Sequence, residues 1–414
     1  MKQTINHQET SIGYNKVWMV LILGALTAFG PLSMDMYLPG LPKVTEDFQT
    51  TASLAQLSIT ATLVGLAIGQ LVFGPLSDIK GRKRPLLVTL TTYALASILA
   101  VFSDNIWVFV CLRFIQGVSA AAGIVIARAA SRDMYTGKDL TKFMAMLALV
   151  NGAAPILAPL FGGLVLNFAS WRFVFVILFI IGIVMLLSVT FTLPETLAEK
   201  DRKQGGLTET FQTFRVLLRD RVFIGIALAQ AFASMSMFAY IAGSPFVLQN
   251  IYDATPLQFS VIFAINGVGI IIAAQLTGRL SSTIEETHLL KWGVSISFAG
   301  GFLLIATILF AFPLWVLLPA LFLVVSSVGI VNTTSFSLGM QRQGKNAGSA
   351  SAFLGILPFA GGGIVSPLVG IAGDYTAVPM AIIIFITSTM AFTFYHILVK
   401  PNRTAIHDSS SSAV

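Results

Sequence analysis

Two charged residues lie inside long apolar segments of the sequence. Asp35 falls in the segment 17–41, and Arg113 falls in the segment 106–128. An ionised side chain at membrane depth costs at least about 2.5 kcal/mol and usually faces a cavity, where such groups relay protons or ions. The pair therefore suits proton coupling, with Asp35 carrying the proton and Arg113 tuning it. The alternative interpretation is that Asp35 lies near the end of its helix and reaches water.

The spacing predicts that the two charges lie at a similar depth. Asp35 is six residues before the end of its segment, and Arg113 is seven residues after the start of the other. In helices of opposite direction, at about 1.5 Å per residue, both lie roughly 10 Å below one surface. A nearby guanidinium favours the charged carboxylate, whereas desolvation favours the neutral acid. A movement of either group could then load or release a proton.

The composition places these residues in an integral membrane protein. The chain has 414 residues, of which 56% are hydrophobic and 10% are charged, and its mean hydropathy is +0.84. A soluble domain is far less apolar. The net charge of +7 does not indicate a nucleic-acid partner, because Lys and Arg form short clusters between apolar runs. The single cysteine, Cys111, excludes an intramolecular disulfide and a cysteine-based metal site.

Twelve apolar segments are long enough to cross a bilayer as helices, so the sequence predicts an all-α membrane fold. The predicted spans are 17–41, 53–76, 85–102, 106–128, 141–166, 172–193, 222–248, 257–278, 290–311, 314–337, 348–371 and 379–398. The basic residues predict the direction in which each span crosses the membrane. Lys43 and Arg172 lie on one side, Arg113 lies within a span, and the remaining 22 of the 25 Lys and Arg residues lie on the other side. The positive-inside rule then predicts that both termini are cytoplasmic.

The longest hydrophilic break divides the chain into two six-helix halves. We predict an N-terminal half over 1–193, a cytoplasmic linker over 194–221, a C-terminal half over 222–400 and a disordered tail over 401–414. Three residues of the fifth span recur 208 positions later in the eleventh span: Pro159, Leu160 and Gly162 correspond to Pro367, Leu368 and Gly370. Halves related by a repeat place a central site at their interface, near the bilayer midplane.

Two further motifs indicate moving parts. Residues 74–84 (GPLSDIKGRKR) join the second and third spans, and their candidate conformational residues are Gly74, Asp78, Gly81, Arg82 and Lys83. Asp78 could brace this loop against a helix N-terminus of the other half; an ordinary positive-inside cluster explains the cations equally well. In the fifth span, prolines and small residues permit a bend and close helix contact, and the candidates are Pro155, Pro159, Gly162 and Gly163.

These motifs together carry a family resemblance. The loop 74–84 resembles the signature of the major facilitator superfamily, residues 113–117 (RFIQG) resemble its Arg-x-x-Gln-Gly element, and residues 155–163 (PILAPLFGG) resemble the fifth-helix motif of its antiporters. With residues 35–39 (DMYLP), the set resembles drug/proton antiporters of the Bcr/CflA type, which are associated with bicyclomycin and chloramphenicol resistance.

The resemblance implies a fold in which the first and fourth helices line a central cavity, so that Asp35 and Arg113 lie close together. It implies an efflux antiporter in a bacterial-type plasma membrane that works as a monomer, uses the proton gradient and needs no cofactor. Because the first span holds a single carboxylate, we expect neutral amphipathic antibiotics as the cargo. Candidate substrate contacts, each with packing as its alternative role, are Met34, Gln116, Gln230, Met235, Tyr240 and Asn332.

Other classes of protein fit the sequence less well. Residues 339–346 (GMQRQGKN) come near a phosphate loop, but Asn346 replaces the required Ser or Thr and no strand precedes the segment, which disfavours an ATP-driven pump. The four histidines lie at span ends or in tails, so we predict no enzyme and no metal site. Two related halves disfavour a passive channel. The alternative that stays open is a proton-coupled exporter or symporter for a metabolite such as a sugar or an amino acid.

Overall fold

A computed structural model describes residues 16–202, 215–343 and 347–402, and these residues form helices and connecting turns without a strand. Twelve helices are long and apolar enough to cross a membrane. They are α1 (Lys16–Asp35), α2 (Ala52–Lys80), α3 (Lys83–Val101), α4 (Ile106–Met134), α5 (Gly137–Leu166), α6 (Arg172–Thr192), α7 (Arg221–Phe246), α8 (Pro256–Leu280), α9 (Glu286–Leu309), α10 (Leu314–Arg342), α11 (Ala347–Val369) and α12 (Val378–Phe394). The predicted all-α class is confirmed.

Most predicted spans differ from the observed helices by a few residues at each end. The larger differences lie where polar turns continue a helix beyond its apolar stretch, as at the end of α4, which reaches Met134. Helix α7 continues into a wide π turn over Val247–Ile251. Parts of the predicted linker (203–214) and of the predicted disordered tail (403–414) lie outside the described residues.

Glycine allows a close helix contact in the first half, between α2 and α4. A Cβ on Gly65 would lie 2.8 Å from the backbone N of Val118, and a Cβ on Gly117 would collide with the carbonyl of Thr62. The two backbones therefore touch, as small residues in membrane helices permit. This contact fixes α4, which carries Arg113, against the centre of the first half.

Helices α1–α6 and α7–α12 meet along two seams, α2 against α11 and α5 against α8. Three side-chain hydrogen bonds join them at one end of the bundle: Ser53 Oγ donates to Pro367 O (2.8 Å), Gln56 Nε2 donates to Ala242 O (3.0 Å), and Gln249 Nε2 donates to Pro39 O (3.1 Å). We call this the closed end. Leu38 and Leu248, which lie at the closed end, are fully buried.

The first span differs from the predicted continuous helix over 17–41. Helix α1 ends at Asp35, and after a short 3₁₀ turn the chain resumes as a helix over Leu41–Asp47. Pro39 explains the break, because it lacks a backbone N–H and disfavours helical geometry in the residue before it. The candidate span therefore continues to Asp47, so that Asp35 lies twelve residues before its end rather than the predicted six.

An aromatic cluster anchors the added helix. Asp47 Oδ2 accepts hydrogen bonds from Trp171 Nε1 (2.7 Å) and Arg172 Nη1 (2.6 Å), at the start of α6. The buried Trp171 ring contacts Phe48 and Phe109, with centroids 5.6 and 5.4 Å away. These contacts hold the chain just beyond Asp35 against the first half.

Candidate functional site

Asp35 is buried where α1 breaks. Its side chain is 2% exposed, and its Oδ1 atom has no hydrogen-bond partner. The alternative in which Asp35 reaches water at a helix end is therefore wrong for this conformation. A charged carboxylate buried without a partner is costly, so such a group persists where a proton or another ligand takes part.

Arg113 is fully buried and held by several groups at once. Its Nη2 donates to the carbonyl of Ser33 (2.7 Å), and its Nη1 donates to Gln116 Oε1 (2.6 Å). The guanidinium also lies 4.4 Å from the ring centroid of Tyr37 and 5.4 Å from that of Phe175. A cation over an aromatic face is stabilised by the ring quadrupole. Its position is thus fixed by α1, α4 and α6 together.

The two charges lie near each other without direct contact. No hydrogen bond or ion pair joins Asp35 to Arg113 among the described residues, but Arg113 is bonded to the backbone of Ser33, two residues before Asp35. The Nε atom of Arg113 is buried without a partner. The Oδ1 atom of Asp35 and the Nε atom of Arg113 are therefore available for hydrogen bonds in another conformation.

The polar network beyond Arg113 reaches α3, which sequence reasoning missed. Gln116 Nε2 donates to Ser97 Oγ (2.7 Å), and the hydroxyls of Ser33 and Tyr93 share a hydrogen bond of 2.7 Å. Tyr93 and Ser97 are one helical turn apart, so they face the same way. Both polar ends of the Gln116 amide are engaged within the protein, which favours its packing role over its predicted substrate contact.

The predicted substrate residues of the second half lie on α7 and α10. Gln230 is 7% exposed, and its Oε1 atom is buried without a partner. Asn332 Oδ1 accepts a hydrogen bond of 3.4 Å from Ser234, one turn along α7 from Gln230. Met235 packs on α11, where a Cβ at Gly361 would lie 2.8 Å from Met235 Cγ.

The other two predicted substrate contacts, Met34 and Tyr240, are also buried. Met34 adjoins Asp35 in the chain and is 7% exposed. Tyr240 is 1% exposed. The Tyr240 hydroxyl accepts a hydrogen bond of 2.8 Å from Asn266 Nδ2 on α8. Asn266 carried no signal in the sequence, because a single amide in an apolar helix has many possible roles.

The loop between α2 and α3 is built around Arg82. The guanidinium donates to Asp78 (2.6 Å) and to Asp133 at the end of α4 (2.8 Å). Burial lowers the pKa of Arg82, but the hydrogen bonds to Asp133 and Asp78 outweigh burial and raise the pKa above its ordinary value. Gly74 lies on α2 near Val125 of α4, in ordinary contact. The predicted brace from Asp78 to the second half stays a prediction.

Glu195, just after α6, completes this loop and was not predicted. It accepts backbone hydrogen bonds from Arg82 N (2.8 Å) and Lys83 N (3.1 Å), at the N-terminus of α3. Burial raises the pKa of Glu195, but these bonds and one from Leu197 outweigh it, so the pKa lies below its ordinary value. Gly81 has a positive φ of 85°, and a Cβ there would lie 2.9 Å from Glu195 Cδ. Lys83 Nζ donates to Thr190 O at the end of α6 (2.8 Å).

The candidate residues of α5 lie against both halves. A Cβ on Gly162 would collide with the carbonyl of Met36, the residue after Asp35. A Cβ on Gly163 would meet Ser260 Oγ and would lie 3.0 Å from Pro256 O, in the first turns of α8. Pro155 and Pro159 lie inside the same helix. The end of α5 thus contacts the Asp35 region on one side and the second half on the other.

The sequence profile described as Major Facilitator Superfamily matches residues 21–367, which is most of the chain. The chain belongs to the Major Facilitator Superfamily. Membership explains the two seams, since two related halves of this superfamily enclose a central site. It also makes the protein a multi-pass membrane transporter.

Relatives within the superfamily include drug-resistance proteins. The chain is 42% identical to the "Uncharacterized MFS-type transporter YdgK" of Bacillus subtilis, over 94% of this chain and 97% of the relative. It is 28% identical to a "Bicyclomycin resistance protein homolog" of Haemophilus influenzae, over 92% and 96%. It is 31% identical to a "Chloramphenicol resistance protein" of Pseudomonas aeruginosa, over 72% and 70%. The resemblance to Bcr/CflA-type drug/proton antiporters is confirmed.

Solved structures of the superfamily share the fold. The nucleoside transporter NupG aligns with a TM-score of 0.73 at 13% identity, covering 93% of this chain and 99% of that one. A D-xylose-proton symporter aligns with a TM-score of 0.71 at 15% identity, covering 93% and 97%. The predicted fold of twelve helices in the major facilitator arrangement is confirmed.

Proposed function

We propose that this transporter exports small, neutral, amphipathic antibiotics in exchange for a proton, by alternating access. The relatives named for bicyclomycin and chloramphenicol resistance support the class of cargo. The protein would work as a monomer in a bacterial plasma membrane, with both termini cytoplasmic, with the proton gradient as its energy source and without a cofactor or an enzymatic activity.

One observation carries the proposal: Asp35 is the only buried carboxylate among the described residues. A neutral acid is far cheaper to bury than a carboxylate, so Asp35 fits a group that holds a proton while the site is closed. In our proposal the closed end faces the outside of the cell, and the site exchanges its contents with the cytoplasm. A drug that enters from the cytoplasm then favours proton release, and reopening to the outside reloads Asp35.

The break in α1 supports this role mechanically. Asp35 is the last residue of α1, and the next turn is attached to the closed end through the bond from Gln249 to Pro39. Opening that end breaks this bond and frees the turn beside Asp35. The carboxylate then gains access to external water, from which it takes up a proton as the drug leaves.

The test compares Asp35→Asn with Asp47→Asn in inverted membrane vesicles. Asp35→Asn keeps the size and loses the titration, so we expect proton-driven accumulation of chloramphenicol to be lost while downhill counterflow partly survives. Asp47→Asn is the control, because Asp47 lies outside the site and an asparagine Oδ1 can still accept from Trp171 and Arg172. Undiminished drug-induced proton release by Asp35→Asn would refute the proposal.

The same vesicles distinguish a drug exporter from a carrier of metabolites. A panel of sugars, amino acids and neutral antibiotics is offered for counterflow against the unmodified protein. We expect exchange with the antibiotics. Exchange with a sugar or an amino acid and none with the antibiotics would reassign the cargo and leave the coupling role of Asp35 intact.

A further inference from the structure

A lateral groove lies outside the central site, between α8 and α10 near the closed end. Its volume is about 510 Å³, which falls in the range of roughly 300–1,000 Å³ typical of small-molecule sites. The lining is apolar except for Asn266, and its apolar members include Ile262, Leu318 and Phe322. No residue of the first half lines it.

The groove opens toward the bilayer. Both helices are membrane spans, and the lining residues Ile265 and Trp315 are 55% and 73% exposed on their lateral surface. Trp315 lies in the first turn of α10, where tryptophan is typical of the membrane interface. The molecules that meet this opening are therefore lipids, with their headgroups at the level of Trp315.

The dimensions match one lipid chain. From Trp315 to Leu323 the groove follows α10 for a little over two turns, about 12 Å at 1.5 Å per residue. One leaflet of the hydrocarbon core is roughly 15 Å thick, or half of the core thickness of about 30 Å. A chain that descends from a headgroup beside Trp315 can therefore lie along the whole groove.

We infer that this groove binds one acyl chain of a lipid from the leaflet at the closed end. An apolar groove that is open to the hydrocarbon core excludes water, so an acyl chain is the ligand whose chemistry fits every lining residue except Asn266. That residue is 3% exposed and donates its amide N–H to the Tyr240 hydroxyl at 2.8 Å. The bound chain thus packs on the residue that holds Tyr240 in the central site. The inference does not depend on which drug is carried.

The experiment uses photoreactive phosphatidylcholine in nanodiscs that contain the full-length protein. One probe carries a diazirine near the carbonyl of an acyl chain, and a second carries it at mid-chain. We expect the first probe to label residues around Trp315 and the second to label residues around Phe322, in α10 and the facing turns of α8. Adduct sites are identified by mass spectrometry.

Two leucine-to-tryptophan variants, one in the groove and one outside it, test the position of the chain. Leu318→Trp fills the groove, so we expect most adducts in α8 and α10 to be lost. Leu303→Trp changes an exposed residue on α9, and its adduct pattern should equal that of the parent. The melting temperature and elution volume of both variants establish that they are folded.

Three outcomes would overturn the inference. Labelling that is equal on all exposed faces at one depth would indicate only the annular lipid that surrounds any membrane protein. Unchanged labelling in folded Leu318→Trp would place the chain elsewhere. Loss of labelling on addition of excess chloramphenicol would assign the groove to the drug.

Discussion

At the scale of single residues, Asp35 and Arg113 are buried in different ways. Arg113 is bonded to Ser33 and Gln116 and lies over two aromatic rings, whereas Asp35 has an oxygen with no partner. Removing one member of a buried, bonded network is costly, because its partners are left unsatisfied. Arg113 therefore acts both as a charge and as a connection between helices, and these two roles can be separated.

The first prediction separates the two roles of Arg113 with Arg113→Lys and Arg113→Ala. Lysine keeps the charge but cannot donate in the two fixed directions of a guanidinium. We expect Arg113→Lys to transport slowly with the pH profile of the parent. Arg113→Ala should lose coupling and shift the pH profile of drug binding upward, because removing a nearby cation favours the neutral acid. A parental profile in Arg113→Ala would mean that its charge has no influence on Asp35.

Sequence reasoning found these two residues because charge inside an apolar run is a local signal. It missed Ser97 and Tyr93, because a serine or a tyrosine in a membrane helix is ordinary, and only tertiary packing brings Ser97 to Gln116 and Tyr93 to Ser33. Glu195 was missed for a similar reason. Its partner atoms are backbone N–H groups of Arg82 and Lys83, which any sequence would supply.

At the scale of elements, Gly81 and Gly278 provide a matched comparison, since each lies near the end of a helix. Gly81 follows α2 with a positive φ of 85° and lies against Glu195, whereas Gly278 near the end of α8 has nothing within 4 Å of a built Cβ. The second prediction is that Gly81→Ala is harmful and Gly278→Ala is not. With ψ at 169°, this backbone conformation is essentially restricted to glycine and costs another residue roughly 1–3 kcal/mol, and the Glu195 contact adds to it.

The measurement for this pair is drug export in cells together with the melting temperature of the purified variants. We expect Gly81→Ala to lower both and Gly278→Ala to leave both near the parental values. Equal behaviour of the two variants would show that the contact of Gly81 with Glu195 does not affect the transport cycle.

The third prediction ranks three glycines of α5. Gly162 lies against the rigid backbone of Met36, Gly163 lies against the hydroxyl of Ser260 and the carbonyl of Pro256, and Gly152 has only an ordinary contact of 3.6 Å with Ile271. Since a backbone cannot yield as a side chain can, we expect transport to fall most in Gly162→Ala, less in Gly163→Ala and least in Gly152→Ala. Drug accumulation per membrane-inserted protein measures the order, and equal loss in all three would indicate a general packing defect.

The helices were predictable from hydropathy because each span must satisfy its own backbone hydrogen bonds. The first span shows where this reasoning fails. Residues 42–47 (PKVTED) contain three charged residues and were assigned to a loop, but Val44 is fully buried and Asp47 is bonded to Trp171 and Arg172. Tertiary contacts, which hydropathy does not report, extend the span and set the depth of Asp35.

At the scale of the whole molecule, the number of titrating sites determines which driving force acts. Asp35 is the single buried carboxylate in the described part of the chain, so the mechanism that we propose exchanges one proton in each cycle. Exchange of one proton for a neutral drug moves one elementary charge across the membrane. Exchange for a monovalent cation moves none, so the membrane potential then contributes nothing.

The last prediction follows from this difference. In inverted vesicles with the pH gradient held at zero and a lumen-positive potential imposed alone, chloramphenicol should accumulate in the lumen. One elementary charge is worth about 2.3 kcal/mol per 100 mV, which corresponds to a limit of about fiftyfold accumulation. A lipophilic cation should show no response to the potential, and Asp35→Asn should abolish the response to chloramphenicol. Accumulation of chloramphenicol that ignores the potential would refute one-proton exchange, because charge movement is then absent from the cycle.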